Sequence, residues 1–108
     1  MSEWVDACGV EDVDPEDVIA FEHDGVEYAI YRSAKDEYFT TAGVCTHEFQ
    51  LLCDGFVMGN VIECPKHNGR FDFRTGAALS APALEPLRTF ATRVEGDRVF
   101  VNTSQPAP

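Results

Sequence analysis

Two cysteine–histidine pairs stand out in a chain of 108 residues: Cys45-Thr46-His47 and, after sixteen intervening residues, Cys64-Pro65-Lys66-His67. Each pair offers one thiolate and one imidazole, and two of the three histidines in the chain lie here. Thiolate is soft and anionic, imidazole is neutral and intermediate, and together they suit zinc or iron. Pro65 restricts the backbone inside the second pair, and Gly43, Gly69 and Gly76 supply turns around both. One such pair would read as a buried cysteine and a hydrogen-bonded loop histidine. Two of them in one loop-rich segment read as a metal site. Zinc takes two Cys and two His tetrahedrally, so a structural or regulatory zinc module is one alternative. Such modules are typically small and metal-dependent, or carry the His pair on a helix. Here the candidate ligands alternate Cys, His, Cys, His on two loops.

The elements that must hold these loops read as short strands. Phe21 to Tyr31 carries a strand-like run on each side of Asp24-Gly25, and Arg93 to Val101 repeats the pattern around Gly96. Both are hairpin signals, because Gly tolerates positive φ. Trp4 to Cys8, Glu37 to Thr41, Val61 to Cys64 and Leu87 to Thr92 read as further strands. Pro15 with its flanking acids marks at most one helical turn. No window sustains a 3.6-residue apolar period. Short strands with Gly and Pro turns predict an all-β sandwich or barrel of antiparallel sheets. Residues 43–76 form a loop-rich insertion in it, and such insertions are usually functional. The whole chain, 1–108, reads as one domain, with a frayed tail over 103–108.

Composition narrows the function classes. With 44% hydrophobic residues the chain builds a core without disulfide staples. Eight Lys and Arg against nineteen Asp and Glu give a formal charge of −11. That excludes sequence-independent nucleic-acid binding, which needs cations against phosphates, and binding to anionic membrane surfaces. No apolar run approaches the length of a spanning helix. The N-terminal residues lack the basic and apolar stretches of a signal peptide, so the cytoplasm is the expected compartment. Cytoplasmic thiols stay reduced, which argues against pairing Cys8, Cys45, Cys53 and Cys64 as disulfides. Charge is uneven: residues 1–37 hold twelve acids and two bases, residues 38–108 seven acids and six bases. The acidic half is either a solvated face or a surface that steers a basic partner.

Cys45-x-His47 and Cys64-x-x-His67 resemble the signature of a Rieske [2Fe–2S] centre, in which two His replace two Cys on one iron. From Trp4 to about Asn102 the chain is similar to the small Rieske-type ferredoxins of bacterial multicomponent aromatic-ring-hydroxylating dioxygenases. Gly59 to Pro65, Asn68 to Asp72, Thr75-Gly76 and the proline-bearing stretch Pro82 to Leu87 extend the likeness. The resemblance implies one [2Fe–2S] cluster, with Cys45 and Cys64 on one iron and His47 and His67 on the other. The His-bound iron would lie nearest the surface, ringed by Phe49, Pro65, Lys66 and Pro82. It also implies two antiparallel sheets with the cluster-binding subdomain inserted between strands.

The implied function is one-electron transfer from a flavin-containing, NAD(P)H-dependent ferredoxin reductase to a terminal Rieske non-haem iron oxygenase, by a monomeric carrier. An oxygenase would also need a mononuclear iron, commonly held by two His and a carboxylate. Only His23 is left for one, so the chain is a carrier and not itself an enzyme. Respiratory Rieske proteins join their ligand loops with a disulfide; the matching positions here are Gln50 and Lys66, so that bridge cannot form. Cys8 and Cys53 are expected to be small apolar residues with no ligand role. High-potential relatives also place Ser and Tyr hydroxyls two and four residues after the second His ligand. Those positions here are Gly69 and Phe71, which have no hydroxyl to donate.

Overall fold

The computed structural model describes residues 4–46, 50–65, 69–80 and 85–107. Strands β1 (Trp4–Gly9), β2 (Asp17–His23), β3 (Val26–Arg32) and β4 (Tyr38–Ala42) precede the ligand loops. Strands β5 (Phe56–Met58), β6 (Val61–Glu63), β7 (Arg70–Asp72) and β8 (Ala78–Ser80) follow the first loop. Strands β9 (Thr89–Phe90), β10 (Thr92–Glu95) and β11 (Arg98–Asn102) close the chain. They form three antiparallel sheets, ordered β1-β11-β10, β2-β3-β4-β9 and β5-β6-β7-β8. The only helical pieces among the described residues are 3₁₀ turns at Val10–Asp12 and Leu52–Asp54. The all-β expectation holds. The insertion has a sheet of its own, which runs on to Ser80, past residue 76.

Turn chemistry sets the registers. Asp24 and Gly25 lie at φ of 52° and 78°, which is the pair of positive angles a type I′ turn requires. His23 therefore faces Val26, and β2 and β3 pair along their full length. Gly96 sits at φ 62° in the turn that pairs Glu95 with Arg98. The run expected over Leu87 to Thr92 is broken instead. Ala91 separates β9 from β10, and its N–H donates to the Gln105 carbonyl at 2.9 Å. The Ser104 N–H also reaches the Asn102 side-chain oxygen at 3.0 Å. Up to Gln105 the tail is therefore tied back onto the sheet where fraying was expected.

Strand β3 is the wall between two cores. Tyr28, Ala29, Ile30 and Tyr31 are all buried, and alternation sends them to opposite sides. Tyr28 and Ile30 join Cys8, Val13, Phe90, Val99 and Val101. Ala29 and Tyr31 join Val18, Leu52, Ile62, Phe71, Phe73 and Leu87. The second cluster lies beneath the insertion and includes Cys45 and Cys64.

Phe73 fastens the insertion to this wall. Its ring stacks on Tyr31 with centroids 4.5 Å apart and planes 5° from parallel. Phe39 of β4 leans against it from 5.6 Å. The Tyr31 hydroxyl is itself fixed by Thr41 Oγ1 at 2.8 Å. Beyond Phe73, Gly76 adopts φ +83°, donates to the Asp72 carbonyl at 2.7 Å and accepts from the Leu87 N–H at 2.8 Å. A Cβ here would overlap the Leu87 carbonyl oxygen, so this close approach of two backbones needs glycine. The Phe73 contact sets an expectation for stability. Removing a fully buried aromatic ring from a core costs roughly 3–5 kcal/mol, so Phe73→Ala should lower the urea midpoint far more than Phe39→Ala, whose ring is only partly buried. Similar midpoints for the two variants would show that the stack does not hold the insertion.

Candidate metal centre

Both cysteines that the sequence singles out sit at the start of a loop, and the two loops close in the same way. The Cys45 N–H donates to the Gln50 carbonyl at 2.8 Å, and the Cys64 N–H donates to the Gly69 carbonyl at 2.8 Å. These bonds bracket residues 46–49 and 65–68, the spans that contain His47 and His67 in sequence. His47, His67, Phe49, Lys66 and Pro82 themselves lie outside the described residues.

The rung beneath each closure differs. Below the first loop an isolated bridge joins Val44 and Leu51, and the Leu52 N–H donates to the Gly43 carbonyl at 2.9 Å. Gly43 in turn donates to the Glu27 carbonyl at 2.9 Å. A Cβ on Gly43 would press on the Glu27 and Tyr28 backbone at 2.9 Å. The first loop therefore stands directly on the β2–β3 hairpin, closer than a side chain would permit. The second loop is the turn of the β6–β7 hairpin, and its lower rung is Glu63 opposite Arg70. Gly55 has a matching role beside it, since a Cβ there would overlap the Glu63 carbonyl oxygen.

A third segment braces the first loop. The Thr46 hydroxyl, one residue after Cys45, donates to the Glu85 carbonyl at 3.0 Å. Leu87, two residues further on, is anchored to Gly76 as described above. The stretch that the sequence marks as proline-bearing is thus tied at its end to both the first loop and the β7–β8 turn.

Cys45 is 1% exposed and Cys64 is 0% exposed. Both belong to the same apolar cluster, with Leu52, Ile62, Phe71, Phe73 and Leu87 around them. Burying a thiolate in such surroundings is unfavourable without a compensating positive charge. Ferric iron supplies that charge, and a coordinated thiol gives up its proton. Two soft donors brought from distant chain positions into one dry cluster therefore fit an iron–sulfur group. Among the described residues no gathering of three or more His, Cys, Asp or Glu that could hold a metal ion occurs, and no disulfide forms.

Cys8 and Cys53 lie outside that cluster. Cys8 is buried in the other core, and burial, then the Asp12 carboxylate, push its thiol above the ordinary range. Cys53 lies in the 3₁₀ turn beside Asp54, where burial and that carboxylate act in the same direction. His23 ends β2 beside Asp24, 3.3 Å away, with its ring stacked on Phe21.

Sequence reasoning did not find the charged pairs on the insertion. Arg70 Nε donates to Glu63 Oε1 at 2.9 Å. Arg74 grips Asp72 through Nε and Nη2 at 3.2 and 2.9 Å. These bonds hold the Asp72 carboxyl below the usual carboxylate range. The only signal was the spacing of Glu63 and Arg70 about a loop, which becomes informative once the register is known.

The profile of the Rieske [2Fe-2S] domain matches residues 3–91. The ferredoxin component of a naphthalene 1,2-dioxygenase system from Pseudomonas aeruginosa is 39% identical over 101 residues, covering 94% of this chain and 96% of that protein. The biphenyl dioxygenase ferredoxin subunit of Pseudomonas sp. (strain KKS102) is 39% identical over 102 residues, covering 94% and 93%. Among solved structures, the complex of reduced oxygenase and oxidized ferredoxin in carbazole 1,9a-dioxygenase holds a chain that superposes with a TM-score of 0.89. That chain is 30% identical, with 100% of this chain and 99% of the other covered. The ferredoxin of carbazole 1,9a-dioxygenase from Nocardioides aromaticivorans IC177 gives 0.86 at 32% identity, with 97% of each chain covered. The zinc-module alternative finds no support among these relatives. A profile match over most of the length and a fold shared from end to end make this chain a member of the Rieske [2Fe–2S] domain family, with one [2Fe–2S] cluster as its cofactor.

Proposed function

We propose that the chain carries single electrons from a flavin-containing, NAD(P)H-dependent ferredoxin reductase to a terminal Rieske non-haem iron oxygenase that hydroxylates aromatic rings. It acts as a monomer in the cytoplasm. Its ligands are Cys45 and Cys64 on one iron and His47 and His67 on the other. The observation that carries this reading is the delivery of Cys45 and Cys64, by two loops closed with the same bond, into one buried apolar cluster. The likeness to ferredoxin components of dioxygenase systems over nearly the whole chain supports the pairing of partners. A relative crystallised with its oxygenase supports direct contact with the acceptor. No helix among the described residues is long and apolar enough to cross a membrane.

The cluster, when bound, takes up and releases one electron. The chain's residues set the terms of that exchange. Cys45 and Cys64 bring thiolate charge into the core, while the two imidazoles bring none. Two Fe(III), two sulfides and two thiolates sum to zero, whereas four thiolates would leave −2. Adding an electron to the neutral set is easier, so His ligation raises the potential.

The ligand assignment is tested by replacing His47 or His67 with Ala and measuring iron, sulfide, the visible spectrum and electron flow from a reductase to an oxygenase. Each variant should lose the Rieske spectrum and stop supporting flow. An unchanged spectrum in either would overturn the assignment. Flow absent in the intact, fully loaded protein would overturn the carrier role instead.

Donors near sulfur set the potential. Gly69 spends its carbonyl on the Cys64 amide and has no side chain, and Phe71 packs fully buried in the cluster that holds Cys45 and Cys64. A hydroxyl donating to sulfur stabilises the reduced state more, because reduction adds negative charge there. A differential contribution on the order of 1 kcal/mol corresponds to some tens of millivolts, since about 59 mV is roughly 1.4 kcal/mol for one electron. Without two such donors the midpoint should lie toward the negative end of the Rieske span, which runs from about −150 to +300 mV. Phe71→Tyr, alone and with Gly69→Ser, should raise it stepwise in protein-film voltammetry. A parent already near the positive end, or a downward shift in folded variants, would contradict the argument.

A further inference from the structure

The Glu63–Arg70 pair occupies a particular place. It is the first rung below the Cys64–Gly69 closure, so its two residues are the immediate chain neighbours of the atoms that close the second loop. On an antiparallel ladder directly opposed residues share a face, and Ile62 and Phe71, one step along, turn inward to the cluster. Glu63 and Arg70 therefore lie on the outer face of the insertion sheet, beside Phe56 on β5, which pairs with Glu63 and is 62% exposed. The Glu63 side chain is 15% exposed and that of Arg70 51%. The carboxylate is thus largely covered and the guanidinium closes over it.

The magnitude of such a pair argues against reading it as a simple stability device. A partly exposed ion pair adds little to stability, too little to explain its placement. The first loop also manages without one, since its matching rung is the apolar pair Val44 and Leu51. What distinguishes the second loop is a negative charge one residue from Cys64, in a protein already at −11. A largely covered carboxylate so placed opposes the addition of an electron nearby, because low local dielectric strengthens its field. Arg70 cancels that field from the far end of the same rung.

We propose that Arg70 is a positioning and counter-charge residue for the Cys64–His67 loop: it pins the rung that closes the loop and neutralises Glu63 beside Cys64. This rests on the ligand reading above. In that reading the effect of Glu63 and Arg70 on the centre is through charge and loop placement.

The test uses the loaded, full-length protein and its midpoint potential, with the visible spectrum as the control. Arg70→Gln leaves Glu63 uncompensated and should lower the potential. Glu63→Gln leaves Arg70 uncompensated and should raise it. The double variant Glu63→Gln/Arg70→Gln should return near the parent, because both charges are gone. Arg70→Lys, which keeps the charge and gives up the planar fork, should stay close to the parent and serves if Arg70→Gln fails to load. A merely structural role would shift both single variants the same way, or neither, and would leave the double variant displaced; any of these results overturns the proposal. So does Arg70→Lys shifting as far as Arg70→Gln. A parent protein without a Rieske spectrum would instead overturn the ligand reading, before any variant is compared.

Discussion

Two thiols separated by eighteen residues of chain must reach one dry place, and the amide of each cysteine enforces it. Each N–H is committed to the carbonyl five residues on, at 2.8 Å in both loops. With the amide committed, the cysteine is held at the loop's foot, where the chain leaves the core. A buried amide left without a partner would cost roughly as much as a lost hydrogen bond, so the loop closure and the burial of the sulfur are one requirement. Thr46, next to Cys45, repeats the device on a side chain by donating to the Glu85 carbonyl.

That requirement passes down to the scaffold. The feet of the loops are placed only as well as the strands beneath them, and these stand on β3, which is buried on both faces. Three-residue strands such as β5 to β8 carry too few cross-strand pairs to stand alone. They are held because Ile62, Phe71 and Phe73 pack on Tyr31 and Ala29 from above. The Tyr31–Phe73 stack adds about 0.5–1.5 kcal/mol beyond area burial, and its near-parallel geometry fixes the tilt of the insertion against the wall. Glycines at 43, 55 and 76 let backbone meet backbone at three close approaches of the insertion to its surroundings or to itself.

The charges follow the same division. Most of the acidity lies in the first third of the chain. On the insertion, Glu63 is paired with Arg70 and Asp72 with Arg74. The excess negative charge of residues 1–37 sets up a field that acts at longer range. Weak redox encounters bury small interfaces, and such a division would suit the carrier role proposed above.

What the residues alone determined was local. Asp24-Gly25 and Gly96 named their hairpins because positive φ is a property of the dipeptide. The Cys–His pairs named their chemistry because donor type and spacing survive in any fold that brings them together. Tertiary structure decided everything that depends on a distant partner. Strands β5, β7 and β8 escaped notice because three residues hold too little alternation to detect; they exist because their neighbours pair with them. The choice of Tyr31 as the ring that receives Phe73, the break at Ala91 and its bond to Gln105, and the meeting of Glu63 with Arg70 are likewise long-range events. Each joins residues whose types are common and whose spacing is informative only once the sheet register places them face to face.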